Sequence, residues 1–170
     1  VAKGNGGAIG IFLKTREPSN PIEIIGSKFT KNIANKNENK ENGGAIYYEQ
    51  IETSSFEQSK NFLFKVADCE FSENQASCFG GSIYIGIENI ELFKQIEISR
   101  CIFDKGVAAQ SGSYIYYKYN PSNSALVDPS NNYNLYLNDC VFSGSNSGSY
   151  GSISISILNG EPSKSIEINN

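Results

Sequence analysis

The sequence predicts an all-β solenoid, a parallel β-helix of about five coils with three short strands in each. Two recurring anchors and one alternation carry that expectation. The first anchor is Asn42-Gly43-Gly44-Ala45-Ile46-Tyr47-Tyr48, echoed at Gly6-Gly7-Ala8-Ile9, Gly80-Gly81-Ser82-Ile83, Ser111-Gly112-Ser113-Tyr114 and Tyr150-Gly151-Ser152-Ile153. With Gly7, Gly44, Gly81, Gly112 and Gly151 as the second position of each copy, the spacings are 37, 37, 31 and 39 residues, a period that marks a repeat architecture. The second anchor lies between those copies, at Ser27-Lys28-Phe29, Cys69-Glu70-Phe71, Cys101-Ile102-Phe103 and Cys140-Val141-Phe142.

The first strand of each coil precedes the Phe anchor. Seven residues before Phe stand Ile22, Phe64, Ile96 and Leu135, and five before it stand Ile24, Val66, Ile98 and Leu137. The positions six and three before it carry Glu23, Lys65, Glu97, Tyr136 and Gly26, Asp68, Arg100, Asp139. That alternation is the period-two signature of a strand with one buried face. The second strand runs through the anchor and stacks an inward ladder of Phe29, Phe71, Phe103 and Phe142 beside Cys69, Cys101 and Cys140. The third strand leaves Gly-Gly with Ile9/Ile11, Ile46/Tyr48, Ile83/Ile85, Tyr114/Tyr116 and Ile153/Ile155 expected inward, because Ser152, Ser154 and Ser156 fill the other side of the last copy. The glycines read as corner residues. A strand follows them, and no Lys, which removes a phosphate-cradling loop. A right-handed coil is the default expectation for parallel crossovers.

At 170 residues, 39% hydrophobic and 12% aromatic, the chain can build a real core. Its formal net charge of -4 argues against a nucleic-acid or anionic-membrane partner, and no apolar run approaches the roughly 18 residues of a membrane span. Histidine is absent and the four cysteines show no C-x-x-C spacing, so no metal or other cofactor is expected. Residues 1–170 read as one β-helix segment of a longer repeat-containing chain. The chain opens on a repeat, and Ile166-Glu167-Ile168 repeats the Ile-Glu-Ile of positions 22–24 and 96–98, so a further Phe anchor is expected beyond Asn170.

Phe29-Thr30-Lys31-Asn32 followed by Gly43-Gly44-Ala45-Ile46, and Phe71-Ser72-Glu73-Asn74 followed by Gly80-Gly81-Ser82-Ile83, resemble the paired F-x-x-N and G-G-A-[ILV] repeats of the chlamydial-type polymorphic outer-membrane-protein family. The likeness covers nearly the whole chain and fades in the later coils, where Phe103-Asp104-Lys105-Gly106 and Phe142-Ser143-Gly144-Ser145 lack the Asn. It implies a surface-exposed β-helical passenger domain associated with adhesion. Similar repeats occur in large protozoan surface proteins, and the Asn-, Lys- and Ile-heavy composition suits a protist as well as a bacterium.

Rungs about 4.8 Å apart would set Lys65 between Glu23 and Glu97, and Arg100 between Asp68 and Asp139. Such a charge ladder contributes roughly 0.2–1 kcal/mol per pair. A polysaccharide lyase or hydrolase, the rival reading, needs an isolated pair of carboxylates around a bond, and the sequence nominates none. Parallel Cβ vectors hold the thiols of Cys69, Cys101 and Cys140 near rung spacing, wider than the about 3.8 Å between Cβ atoms of a disulfide. They are expected as buried thiols, with Cys78, in a turn, the freer candidate for a partner.

The outward row after Gly-Gly reads Gly10, Tyr47, Tyr84, Ile115 and Ser154, with Tyr117 and Tyr119 farther along. Tyr47, Tyr84, Tyr117 and Tyr119 form the candidate binding surface, suited to a sugar ring or a protein, unless a long loop covers them. Longer connections at 14–21, 49–61 and 119–134 cluster at one corner, where solenoids often carry function. The expected function is a non-enzymatic extracellular or cell-surface segment acting in adhesion or as a stalk or filament component. Its partners would be other segments of the same chain or neighbouring subunits at the open coil ends, and a glycan or surface protein. The alternatives are a carbohydrate-active β-helix enzyme and an architectural subunit of a larger assembly.

Overall fold

The computed structural model describes residues 2, 4–14, 20–35, 41–51, 63–88, 95–120, 134–144, 151–158 and 166–169. Their regular elements are all strands: β1 (Ile9–Leu13), β2 (Ile22–Ile25), β3 (Lys28–Thr30), β4 (Ile33–Ala34), β5 (Ile46–Ile51), β6 (Leu63–Ala67), β7 (Glu70–Ser72), β8 (Gln75–Ala76), β9 (Ile83–Glu88), β10 (Gln95–Ser99), β11 (Ile102–Asp104), β12 (Val107–Ala108), β13 (Ile115–Asn120), β14 (Asn134–Asn138), β15 (Val141–Ser143), β16 (Ile153–Ile157) and β17 (Ile166–Asn169). Each pairs in parallel with its counterpart one repeat away, which produces four stacked sheets. The Gly-Gly sheet is β1-β5-β9-β13-β16, the Ile-x-Ile sheet β2-β6-β10-β14-β17, the Phe sheet β3-β7-β11-β15, and a short fourth sheet β4-β8-β12. This is a parallel β-helix. The three predicted strands of each coil are present, and two-residue strands after the Phe anchor add a fourth, too short to leave a period in the sequence.

In-register stacking explains why these residues form this fold. Phe29, Phe71, Phe103 and Phe142 pair in succession, and their rings stack at 4.9, 4.8 and 4.9 Å with planes within 9° of parallel. One row of the Gly-Gly sheet is Ile9, Ile46, Ile83, Ile115 and Ile153, and the next inward row is Ile11, Tyr48, Ile85, Tyr117 and Ile155. Opposite them lie Phe64, Val66, Ile96, Ile98, Leu135 and Leu137 of the Ile-x-Ile sheet, with Tyr48 stacked on Phe64 at 4.3 Å. Among the described residues packed on this core, the half-buried ones, such as Ile9, Ile11, Ile22, Ile153, Ile155 and Ile166, belong to the end rungs.

The fourth coil departs from the expected phase by one residue. Gly112 has a φ of +65°, as Gly43 does, and therefore stands in the first-glycine row, with Ser113 at the second position. Tyr116 consequently joins the outward row of Tyr47 and Tyr84, while Ile115 and Tyr117 turn inward. The two glycines of the motif do different work. Gly43 supplies a left-handed corner. At Gly44 a Cβ would sit 1.9 Å from the Gly81 carbonyl oxygen, so the backbone of one coil rests directly on the next.

The fading of F-x-x-N in this coil is a paired exchange. Asn74, fully buried, donates from its amide to the Phe29 carbonyl at 2.9 Å and accepts from the backbone and side-chain nitrogens of Asn32 at 3.0 Å. Gly106 follows in that row. A Cβ there would lie 2.4 Å from the Tyr114 ring. Tyr114 stands where coils below have Ala45 and Ser82, and its hydroxyl donates to the Ser143 carbonyl. Deleting the amide makes room for the ring, which tilts against Phe103 and Phe142.

Two corners of each coil use the left-handed region, in most coils without glycine. Asp68, Arg100 and Asp139 flank the Phe strand on one side and Lys31, Glu73 and Lys105 on the other, all with φ between 49° and 55°, while Gly26 and Gly144 occupy the remaining places in these rows. Such backbone costs an L-residue roughly 1–2 kcal/mol and is worst for a β-branched one. Lys105→Val is therefore expected to destabilise the fold by about 1–2 kcal/mol while Lys105→Gly, which copies Gly144, keeps wild-type stability within about 0.5 kcal/mol. Urea unfolding of the two variants checks this, and equal losses would contradict it.

Candidate functional site

Four structural rows carry the chemistry nominated by the sequence, and the first is the tyrosine row. The structure brings Tyr47, Tyr84 and Tyr116 into one column on the outer side of the Gly-Gly sheet, with rings 5.0 and 5.6 Å apart and nearly parallel. Phe79 stacks on Tyr116 at 4.4 Å. Tyr117 and Tyr119 are not in this column. Both are buried in the core, on the inward rows with Ile85 and Ile87, because strand β13 is displaced by one residue from the expected phase. Tyr47 and Tyr84 do face outward, yet they are only 7% and 5% exposed, so the column is a second small apolar cluster and not an open aromatic platform.

Tyr116 was legible in principle: it lies 13 residues after Phe103, as Tyr84 lies 13 after Phe71. Counting from the well-defined Phe anchor finds it, whereas the degenerate Ser111-Gly112-Ser113 motif misplaces it. The polar edge of the column consists of Glu49, Glu88 and Lys118, with Lys118 ion-paired to Glu88. Burial raises the Tyr47 hydroxyl far above its ordinary range, aided by its hydrogen bond to Glu49, and burial raises Tyr84 likewise. Tyr84 leans over Gly86, where a Cβ would meet its ring at 2.9 Å.

The second row is the charge ladder. Lys65 bonds Glu97 at 3.1 Å, and Glu23 stands in register with Lys65 on its other side. Arg100 clasps Asp68 through two hydrogen bonds of 2.7 Å, and Asp139 acts on Arg100 through its charge. The same device continues at Lys28–Glu70, 2.8 Å, and Lys31–Glu73, 3.8 Å, pairs formed between neighbouring coils. The hydrogen bond from Arg100 holds the Asp68 carboxyl below its usual range. Burial opposes the charge on Glu97, but hydrogen bonds from Ser99 and Lys65 outweigh it and that carboxyl also titrates low.

The third row is the thiol column. Cys69, Cys101 and Cys140 are buried on successive rungs, each bonded to two carbonyls: Cys69 Sγ to Ala67 at 3.1 Å and Ile24 at 3.5 Å, Cys101 Sγ to Ser99 at 3.3 Å and Val66 at 3.7 Å, Cys140 Sγ to Asn138 at 3.4 Å and Ile98 at 3.6 Å. Ser27 continues the row, its Oγ donating to Ile25 at 3.1 Å. Interaction with the neighbouring Cys101 thiol lowers the Cys69 thiol to about 7 and lowers Cys140 as well. The same two neighbours push Cys101 up. None of the four cysteines is in a disulfide, and Cys78, expected in an accessible turn, is fully buried: its backbone N–H donates to the Glu41 carbonyl, which draws it under the neighbouring coil.

The fourth row is the set of glycines expected at the corners: Gly7, Gly44 and Gly81 are instead the positions where the next coil's backbone leaves no room for a Cβ, while the left-handed corners fall to Gly6, Gly43, Gly80 and the displaced Gly112, and Gly151 has a φ of +28°. The connections at 14–21, 49–61 and 119–134 fall largely outside the described residues. Among the described residues no group of three or more His, Cys, Asp or Glu gathers around one point as a chelating metal site would, and no helix is long and apolar enough to cross a membrane.

Fold and rows together define a repeat-built parallel β-helix whose exposed charges and buried rings are both used to join one coil to the next. Residues 68–86 match the Chlamydia polymorphic membrane protein repeat. The match spans the bidentate Asp68 corner, Phe71, Asn74 and the Gly80-Gly81 corner, and it supports the resemblance read from the F-x-x-N and G-G-A-[ILV] motifs. That repeat belongs to a family of outer-membrane and surface proteins. No curated protein and no solved structure matches the chain.

The Asp68–Arg100 pair makes a pH-dependent contribution of defined sign. A carboxyl whose folded pKa is lowered stabilises the fold above its unfolded pKa, about 3.9, and that contribution fades as pH falls through the lower folded value. The Tm difference between wild type and Arg100→Ala is expected to be constant from pH 7 to 5 and to close at lower pH. A difference that persists unchanged at pH 2 would contradict the assignment.

Proposed function

We propose that this chain is a non-enzymatic segment of an extracellular or cell-surface β-helix, acting in adhesion or as a stalk or filament component. The observation that carries the reading is the use made of the outer surface. The ion pairs Lys28–Glu70, Lys31–Glu73, Lys65–Glu97 and Arg100–Asp68 all run along the stack from coil to coil, so the polar surface braces a rod. The surface-protein repeat at residues 68–86 supports the same location. Lateral contact with a glycan or surface protein falls to exposed groups such as Lys28, Ile102 and Val141 on the Phe sheet, since the tyrosine column is covered. Contact with further coils or neighbouring subunits falls to the end rungs, where Phe12 and Ile168 are 47% and 57% exposed.

An antibody against the folded chain should label intact, unpermeabilised cells of the source organism, and brief external proteolysis should remove the signal. Labelling seen only after permeabilisation would overturn the surface assignment. In a glycan screen the isolated chain should bind without turnover. A fall in the viscosity of a polysaccharide solution would favour the carbohydrate-active enzyme instead.

A further inference from the structure

The Phe sheet turns a patterned face to solvent. The ring ladder beneath it has planes within 9° of parallel, and the strands above stack in strict register, so the face is flat. Across each coil of this face the net charge has one sign, and it reverses at the next coil. The first coil offers Lys28 and Lys31, and the second Asp68, Glu70 and Glu73. The third offers Arg100 and Lys105, with Asp104 bound to Lys105 at 3.4 Å, and the fourth Asp139. The side chains of Lys28, Lys31 and the second band, with Arg100 and Lys105, are between 45% and 73% exposed. Each keeps hydrogen-bonding capacity beyond its partner on the neighbouring coil. Bands alternating at the strand pitch of about 4.8 Å hold no uniform polyanion or polycation, because every band has its opposite beside it. They are matched by a surface striped at the same pitch, and a second copy of this face is one.

We propose that two copies of this chain dock Phe sheet to Phe sheet with their stacks antiparallel, about a two-fold axis parallel to the strands and between the second and third coils. The second coil of each copy then lies on the third of the other, the first lies on the fourth, and each row faces its own counterpart. Glu73 meets Lys105 of the second copy while Lys105 meets its Glu73, the reciprocal pairing of an isologous contact. Asp68 and Arg100 meet Arg100 and Asp68 in the same way, so each clasp becomes half of a ring of four alternating charges. Between these rows the exposed Ile102 faces Glu70, and the exposed Val141 faces the alkyl stem of Lys28. A parallel docking would instead set Asp68 against Glu73 and Arg100 against Lys105, like charge on like, which opposes it. The face covers about 400 Å² a side, below the about 800 Å² of a stable interface, so the pairing is weak and sensitive to salt. It rests on the reading of the Phe sheet as the lateral contact face and names the partner that face takes.

Sedimentation equilibrium of the chain tests this in solution, so cell-surface labelling can fail while the dimer stands, and the reverse. The chain is taken to about 1 mM in about 0.01 M salt, where charges act over about 30 Å, and again in about 1 M salt, where they act over about 3 Å. A monomer–dimer equilibrium is expected at low salt and monomer at high salt, an arm that needs no variant. Glu73→Lys sets Lys against Lys105 and should weaken the dimer about tenfold, since two exposed pairs change sign. Lys105→Glu should do the same, and Glu73→Lys/Lys105→Glu should restore the wild-type association. Lys and Glu already share this left-handed row at Lys31, Glu73 and Lys105, and circular dichroism checks that each variant keeps its β spectrum. Monomer throughout at low salt, growth past the dimer, or association indifferent to salt would overturn the proposal. So would single variants that pair as well as wild type or better, or a double variant that pairs no better than the singles.

Discussion

Every row in this molecule depends on one constraint: parallel strands in strict register, repeating at the hydrogen-bonding distance between coils. The backbone bonds set a rung spacing, and that spacing decides which side chains can follow one another. Flat rings accept it directly, as the Phe column at 4.8 to 4.9 Å shows. Ring pairs of this kind contribute about 0.5–1.5 kcal/mol beyond their burial. Charges accept it only when signs alternate, and Lys28 over Glu70, Lys31 over Glu73 and Asp68 over Arg100 obey that rule. Thiols accept it as a hydrogen-bonded column that cannot close into disulfides.

The same constraint explains why substitutions in one coil appear in pairs. Gly106 and Tyr114 trade a buried amide for a buried ring while the Phe ladder beside them runs on undisturbed. The second motif position tolerates Ser113 in one coil, yet below it Gly44 and Gly81 have backbone pressed against the Cβ position. Stability in such a solenoid is a sum of neighbour-to-neighbour terms, so a coil can change its contents provided the faces it offers upward and downward stay compatible.

How much of this was legible in the sequence follows from the strength of each local signal. The Phe anchor with its fixed offsets placed the Ile-x-Ile and Phe sheets correctly, because alternation over seven residues leaves one phase. The Gly-Gly anchor failed in the fourth coil, where a single glycine stands for two and Tyr114, Tyr116 and Tyr117 are all aromatic. Period-two reasoning that started from the displaced Gly112 passed over Lys118, the polar residue of β13 that marks the outward face, and Tyr117 and Tyr119 were assigned to the wrong face. Cover over Tyr47 and Tyr84 was foreseen only as the alternative to an open binding surface, and the burial of Cys78 was not foreseen, since alternation reports which side of a strand a residue takes and is silent on what covers that side. The two-residue strands at Ala34, Ala76 and Ala108 were below the length at which any period exists.

If coil-to-coil contact between nearest rungs is what holds this rod together, energetic coupling must stop at the next rung. A double-mutant cycle on the Phe column reads this directly. Phe71→Ala combined with Phe103→Ala, on adjacent rungs, should show a coupling energy of about 0.5–1.5 kcal/mol. Phe29→Ala combined with Phe103→Ala, two rungs apart, should be additive within about 0.5 kcal/mol. Equal coupling in both cycles, or none in the first, would contradict the account.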